Sequence, residues 1–321
     1  MMEKKTKMGF IVAGVLILIG IAIFVTALGM LNWDFKNLST VKYETNTYTL
    51  SEEFADISIS TNTADIRILP AEDGKCTVIC EEETNAKHAV EVKDGKLTIT
   101  LQNKKAWRDY IGINFRSPKI VVYLPQEQYG DVKIQGSTCD VDIAKDFSFA
   151  SLDISVSTGD VKNYASASGS VKIKTSTGHI SVEKISAGTL ELQVTTGHVT
   201  VCDVACKDDV KLTVSTGKAC LSGIRCANLT TTGDTGDLSL SDVIATGKFS
   251  IERTTGDVKF DACDAAELIV ETDTGDVTGS LLTDKMFFAE ADTGSVRVPK
   301  TTSGGRCEIT TSTGDIRITI K

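Results

Sequence analysis

Beyond residue 35 the apolar positions alternate with polar ones in short runs, and no stretch keeps the three- and four-residue spacing of an amphipathic helix before a glycine interrupts it. Ile180 and Val182 form one such run, Leu190, Leu192 and Val194 another, Leu212 and Val214 a third. Alternation with a period of two predicts half-buried strands. Between paired runs a small residue recurs, as at Ala187, Cys206, Cys226, Ala245 and Ala265. Each segment therefore supplies two or three strands and at least two turns, which is the content of one coil of a β-helix.

The runs repeat in a nearly fixed register. Thr-Gly pairs recur at Gly159, Gly178, Gly197, Gly217, Gly236, Gly256, Gly275, Gly294 and Gly314, at intervals of 19, 19, 20, 19, 20, 19, 19 and 20 residues. A fixed period of this length marks a solenoid. The predicted fold is all-β, a single-stranded β-solenoid of about ten coils and roughly 45–50 Å, given ~4.8 Å per coil. These glycines are predicted turn residues, because a corner with positive φ is costly for any side chain bearing a Cβ. Thr138-Cys139-Asp140-Val141 extends the register one step, and Thr63-Ala64-Asp65-Ile66 is an outlying copy.

Regular repeats are assigned to residues 131–321, and 45–130 to an irregular, capping first part. In that part, Asp73-Gly74 and Asp94-Gly95 are expected to be hairpin turns. At the far end Ile316, Ile318 and Ile320 are expected to form an open edge. Such an edge invites self-association, since unpaired strands template further pairing.

The N-terminus breaks the pattern. Residues 8–31 carry no charged side chain and would reach about 36 Å as a helix, enough to span a bilayer. Lys4, Lys5 and Lys7 precede the stretch and Asp34 follows it, so the positive flank stays inside. This gives a cytoplasmic basic tail (1–7), a transmembrane helix (8–31), a linker (32–44) and an extracytoplasmic body, in a single-pass cell-membrane protein. The alternative is a cleaved signal peptide, with Ala27-Leu28-Gly29 as the small-x-small site. No hydrophobic tail precedes Lys321, so attachment is expected to rest on the N-terminal helix.

A net charge of −9 without a Lys/Arg cluster argues against nucleic acid as a partner. Nine cysteines without a C-x-x-C pair disfavour a zinc centre, and they are read as mainly buried thiols. No cofactor is implied. Cys206 and Cys226 share an offset and could approach disulfide distance.

The residue after each repeat glycine forms a column. Asp140, Asp160, Asp237, Asp257, Asp276 and Asp315 are interrupted by His179, His198, Lys218 and Ser295. Stacked carboxylates could attract calcium, whereas aspartate equally favours turns by bonding backbone. Asp237, Asp257, Asp276 and Asp315 are the candidate binding column. His179 and His198, with Asp160 a coil earlier, are the candidate metal ligands, set against a plain mixed-charge column. Trp107, Arg108, Asp109 and Tyr110 form one aromatic-charged cluster, either a partner loop or cap packing. There is no Ser-His-Asp spacing and no phosphate-binding loop, so the chain is expected not to be an enzyme.

The repeated S/T-T-G-D-V units, preceded by Phe54-Ala55-Asp56-Ile57-Ser58-Ile59 and by KIVVYLP at 119–125, resemble the bacterial putative-adhesin family of β-strand-repeat domains of unknown function. The resemblance covers roughly residues 45–321. It implies a cell-envelope protein, linked to adhesion or envelope-stress signalling, and it carries over no catalytic residues. The expected function is a membrane-anchored binding scaffold for a protein or glycan at the cell surface. An envelope-sensing accessory of a membrane signalling partner is the alternative, and a glycan-cleaving enzyme the third reading.

Overall fold

A computed structural model of the chain describes residues 2–30, 41–105, 116–125 and 128–321. Helix α1 (Met2–Met30) holds the apolar stretch, and Met8–Met30, with a mean hydropathy of 3.0, is long and apolar enough to cross a membrane. All other regular structure is strand, joined among the described residues into one continuous sheet that winds as a β-solenoid.

From Gln128 onward the coils stack in parallel, in register except for shifts between Ala245 and Lys248 and between Phe260 and Cys263. The inward positions of successive coils superpose into ladders. One runs Val141, Val161, Ile180, Val199, Ala219, Leu238, Val258, Val277 and Ile316, every member buried. The alternation in the sequence is thus the inside and outside of one wall, and the small residues Ala187, Cys206, Cys226, Ala245 and Ala265 are buried where the coil narrows. Just before them a second corner uses left-handed residues that bear side chains, among them Lys184 (φ 56°), Asp203 (φ 55°), Asp242 (φ 52°) and Ala262 (φ 53°).

Coiling begins earlier than the glycine repeat. The first seven strands are β1 (Tyr43–Leu50), β2 (Asp56–Ser60), β3 (Asp65–Pro70), β4 (Cys76–Glu83), β5 (Ala86–Lys93), β6 (Lys96–Asn103) and β7 (Lys119–Leu124). They lead into β8 (Gln128–Thr138) and β9 (Val141–Ile143). β2 pairs in parallel with both β6 and β8, and β3 with both β7 and β9. The coil made by β2 and β3 is therefore sandwiched between a coil made later in the chain and the coil that follows. Asp94–Gly95 is the expected hairpin turn, joining β5 to β6. Asp73–Gly74 is not a turn between paired strands. Both edges of β3 are already taken, so β4 passes on to pair antiparallel with β7 and β1, and that antiparallel ribbon closes the end.

The other end repeats the device and corrects the expected edge. The strands Gly305–Thr313 and Ile316–Ile320 lie between the coil ending at Leu281 and the outermost pair, Lys285–Thr293 and Val296–Arg297. Gly305–Thr313 is paired on both sides, and Ile316 and Arg317 are covered by Val296 and Arg297, whereas Ile318–Ile320 pair only with Gly279–Leu281; Ile316 and Ile318 are 0% and 3% exposed. Among the described residues the long open edge belongs to Lys285–Thr293, with a short one at Ile318–Ile320.

Candidate functional site

The Thr-Gly-Asp corner is a ladder that runs the length of the stack. Each glycine holds a φ between 128° and 156°. A Cβ at Gly178 would lie 2.0 Å from the Gly159 carbonyl oxygen, and one at Gly236 1.9 Å from that of Gly217. Conformation and space both demand glycine. The following aspartate accepts a hydrogen bond from the backbone N–H of its counterpart one coil on. Asp160 Oδ1 takes that of His179 at 2.8 Å, Asp237 that of Asp257 at 3.3 Å, and Asp257 that of Asp276 at 2.9 Å. The ladder follows space rather than sequence, for Asp276 receives the N–H of Asp315 and Asp315 that of Ser295, both at 2.7 Å. The Ser295 N–H and hydroxyl hold the Asp315 carboxyl below the usual carboxylate range.

The histidines of this column serve the same ladder. His198 Nδ1 accepts the Lys218 N–H at 3.2 Å, so that nitrogen's lone pair is in use, and the Lys218 ammonium pairs with Asp237 at 3.2 Å. His179 and His198 are brought together edge to face, with ring centroids 6.4 Å apart. Among the described residues the one group whose ligating atoms converge is instead Cys80, Glu82 and His88, all buried and within 4.8 Å of one another.

The carboxylate and the imidazole are held by hydrogen bonds. Glu82 Oε2 accepts both the His88 N–H (2.6 Å) and Nδ1 (2.7 Å), and Oε1 accepts from Asn46 at 2.8 Å. With its proton on Nδ1, His88 presents Nε2 to the Thr61 hydroxyl at 3.0 Å. The network ties β1, β4 and β5 to the corner between β2 and β3. Burial, helped by Glu82, pushes the Cys80 thiol up to about 12, so it stays protonated and unreactive. Sequence reasoning missed this group because Glu82 and His88 meet across a hairpin whose pairing no spacing announces.

Arg253 is the other buried polar side chain that sequence reasoning missed. It occupies an inward position and is 1% exposed. Its guanidinium lies over Gly233, where a Cβ would sit 1.9 Å from Nη1, and Nη1 reaches the Val214 carbonyl at 3.5 Å. Burial lowers its pKa, while Asp234 and Asp237 outside the wall act the other way. Gly233 has no positive φ; it is glycine because Arg253 one coil away and the Val214 carbonyl on the other side, 2.4 Å from where a Cβ would sit, fill the space.

All nine cysteines are free, seven of them buried, with Cys202 intermediate and Cys220 exposed. Cys206 and Cys226 stack in one column, each aligned with its neighbours in register, and burial raises their thiols to about 12 and about 11. The Trp107–Tyr110 cluster and Asp34 lie outside the described residues.

Outward columns give the surface its character. Lys133, Asp153, Lys172, Glu191 and Lys211 alternate in charge along one wall, with Lys172 and Glu191 3.0 Å apart. Further along, the wall turns to threonine and then acidic, where Glu271, Asp273, Glu290 and Asp292 line a small cleft. At the second corner a cleft of about 730 Å³ combines Phe147 and Tyr164 with Lys145 and Lys184.

Residues 54–218 and 206–321 match the family described as Toastrack DUF4097. Among solved structures the chain is similar to a putative adhesin from Bacteroides fragilis, 17% identical over 87% of this chain and 97% of that one, with a TM-score of 0.42. It is also similar to a putative adhesin from Parabacteroides distasonis, 12% identical over 87% and 98% of the two chains, TM-score 0.47. A putative lipid binding protein from the same organism is 14% identical over 75% and 95%, TM-score 0.45. No curated protein matches the sequence.

Proposed function

The chain belongs to the Toastrack DUF4097 family, and from that premise we propose that it is a single-pass membrane protein whose solenoid stands outside the cytoplasm and binds a protein or glycan at the cell surface without catalysis. The observation that carries this reading is the combination of one apolar helix with a stiff wall of stacked, outward polar columns. Such a wall offers the same chemistry at a ~4.8 Å repeat, which suits an extended or repetitive ligand. The basic residues Lys4, Lys5 and Lys7 support a cytoplasmic N-terminus. The non-catalytic reading draws support from the Cys80, Glu82 and His88 group, in which the carboxylate and the imidazole are engaged with each other, Asn46 and Thr61, and the thiol is buried.

The test is to hold the full chain in lipid nanodiscs and expose it to cell-wall glycans and surface proteins. Retention of an intact ligand is expected. Cleavage of a glycan would overturn the non-catalytic part, and failure to retain any ligand would overturn surface binding.

A further inference from the structure

The end of the stack formed by Lys285–Thr293 and Val296–Arg297 differs from the rest of the solenoid in three ways. Its outer strand edge is paired with no other described strand, since Lys285–Thr293 bonds to Gly305–Thr313 on one side only. Outside the N-terminal helix, the exposed large apolar side chains of the described residues are all here: Leu282 (38%), Met286 (40%), Phe288 (55%) and Val296 (40%). The lumen also stops short, because Phe287, Ala289 and Ala291 pack against the core from one side and remain half-buried. The opposite end is closed by the antiparallel ribbon of β1, β4 and β5.

We propose that this end binds a second copy of the same chain, edge to edge, through an antiparallel pairing of Lys285–Thr293 centred on Ala289. The proposal rests on the surface-binding reading and names one partner for it. The self-pairing is favoured by what it places opposite what. Centring on Ala289 overlaps all nine residues of the strand. On the outer face Met286 meets Asp292 of the second copy and Phe288 meets Glu290, so no carboxylate directly opposes another. On the inner face Phe287 meets Ala291 of the second copy, a large residue against a small one, and the lumens of the two solenoids close on each other. Moving the centre to residue 290 sets Glu290 against itself, and moving it to 287 sets Phe287 against itself. A shift of one residue in the sum would turn every side chain to the wrong face.

Charge supports the same occupant. Arg306 is aligned with Met286 on the neighbouring strand, so it lies one strand away from Asp292 of the second copy, within reach of an arginine side chain. Arg306 is already gathered at this edge, its guanidinium 5.2 Å from the centroid of the Phe288 ring. A strand edge about 30 Å long and one sheet, ~10 Å, deep covers roughly 300 Å², small beside the roughly 800 Å² per partner of a standard stable complex. A weak, reversible contact follows. Because β1, the first strand after the N-terminal helix in the chain, lies at the closed end of the stack, the contact joins the opposite ends of two solenoids.

The test uses the full chain in detergent, sedimented over a range of concentrations, beside a Met286→Lys/Phe288→Lys variant whose changed side chains are exposed. Reversible dimers are expected for the native chain, weakened about tenfold or more in the variant. A native chain that stays monomeric, or a dimer that the variant leaves unchanged, would overturn the proposal. Register is read by mild oxidation in a Cys220→Ser background. Ala289→Cys, which faces itself across the two-fold at ladder distance, should cross-link, whereas Phe287→Cys should not. Equal cross-linking of both, or of neither, would refute the pairing. Retention of glycans by a chain that fails these tests would leave the surface-binding reading standing.

Discussion

Glycine in this chain has two separate reasons to be glycine. At Gly178 both backbone conformation and the Gly159 carbonyl exclude a side chain, so Gly178→Ala is expected to cost about 3 kcal/mol, near the upper end for a strained position; chemical denaturation measures it. At Gly233, where φ is not positive, the obstacles are the Arg253 guanidinium and the Val214 carbonyl, 1.9 Å and 2.4 Å from where a Cβ would sit. Gly233→Ala should destabilise the native chain and cost less, though still something, in an Arg253→Met background, where the Val214 carbonyl remains in the way; a double-mutant cycle would show a coupling of about 1 kcal/mol or more. Additive effects would mean that the two residues do not share the space. The first kind of glycine was readable in the sequence from its period and its Thr and Asp neighbours. The second was not, since nothing local to Gly233 marks it and its causes lie in the neighbouring coils: a close carbonyl, and an arginine at a position whose pattern calls for an apolar residue. The cysteines were readable as buried thiols from their place among small apolar residues. On the native chain a maleimide should modify Cys220, and Cys202 more slowly, with the other seven protected until the protein unfolds; mass spectrometry reads the sites.

At the level of the corner, the sequence showed aspartate as a turn former and left its partner unknown. The partner is the N–H of the next coil, and this makes the column a seam between coils as well as a turn within each. Asp257→Ala should cost about 1 kcal/mol through the lost bond to the Asp276 N–H, while Asp257→Asn, which keeps an acceptor oxygen, should largely restore it. Absence of that rescue would refute the acceptor role. Asp315 adds a pH dependence. Its folded pKa lies below the ordinary 3.8, chiefly through the Ser295 N–H, so its contribution is present above that value and is lost as pH falls through the lowered one. Below about pH 4 the wild type should therefore lose more stability than Asp315→Asn, as melting curves in that range would record. The hairpin expected at Asp73–Gly74 fails for a reason of the same scale: pairing depends on which edges of β3 are free, and both are occupied by strands far away in sequence.

For the whole molecule, the period and the alternation of the sequence were enough to give the solenoid, its parallel stacking and its buried ladders. They could not give the order of the coils at the two ends. Residues 56–70 and 305–317 are each inserted between coils, and a repeat motif carries no mark of which neighbour it will stack on. The consequence is an open edge of different composition from the one the chain order suggests, and an end whose apolar residues bear on how copies meet. The same scale holds the central proposal, that one helix keeps this rod on the outside of the cell membrane. The most direct measurement uses the native Cys220, which is exposed: intact cells stripped of their outer wall are treated with a membrane-impermeant maleimide, then fractionated, beside cells making a chain without residues 1–30. Labelling of Cys220 before lysis, on protein that sediments with membranes in the full chain and is lost from that fraction in the truncated one, is the predicted result. Labelling that occurs only after lysis, or sedimentation that does not depend on the helix, would contradict it.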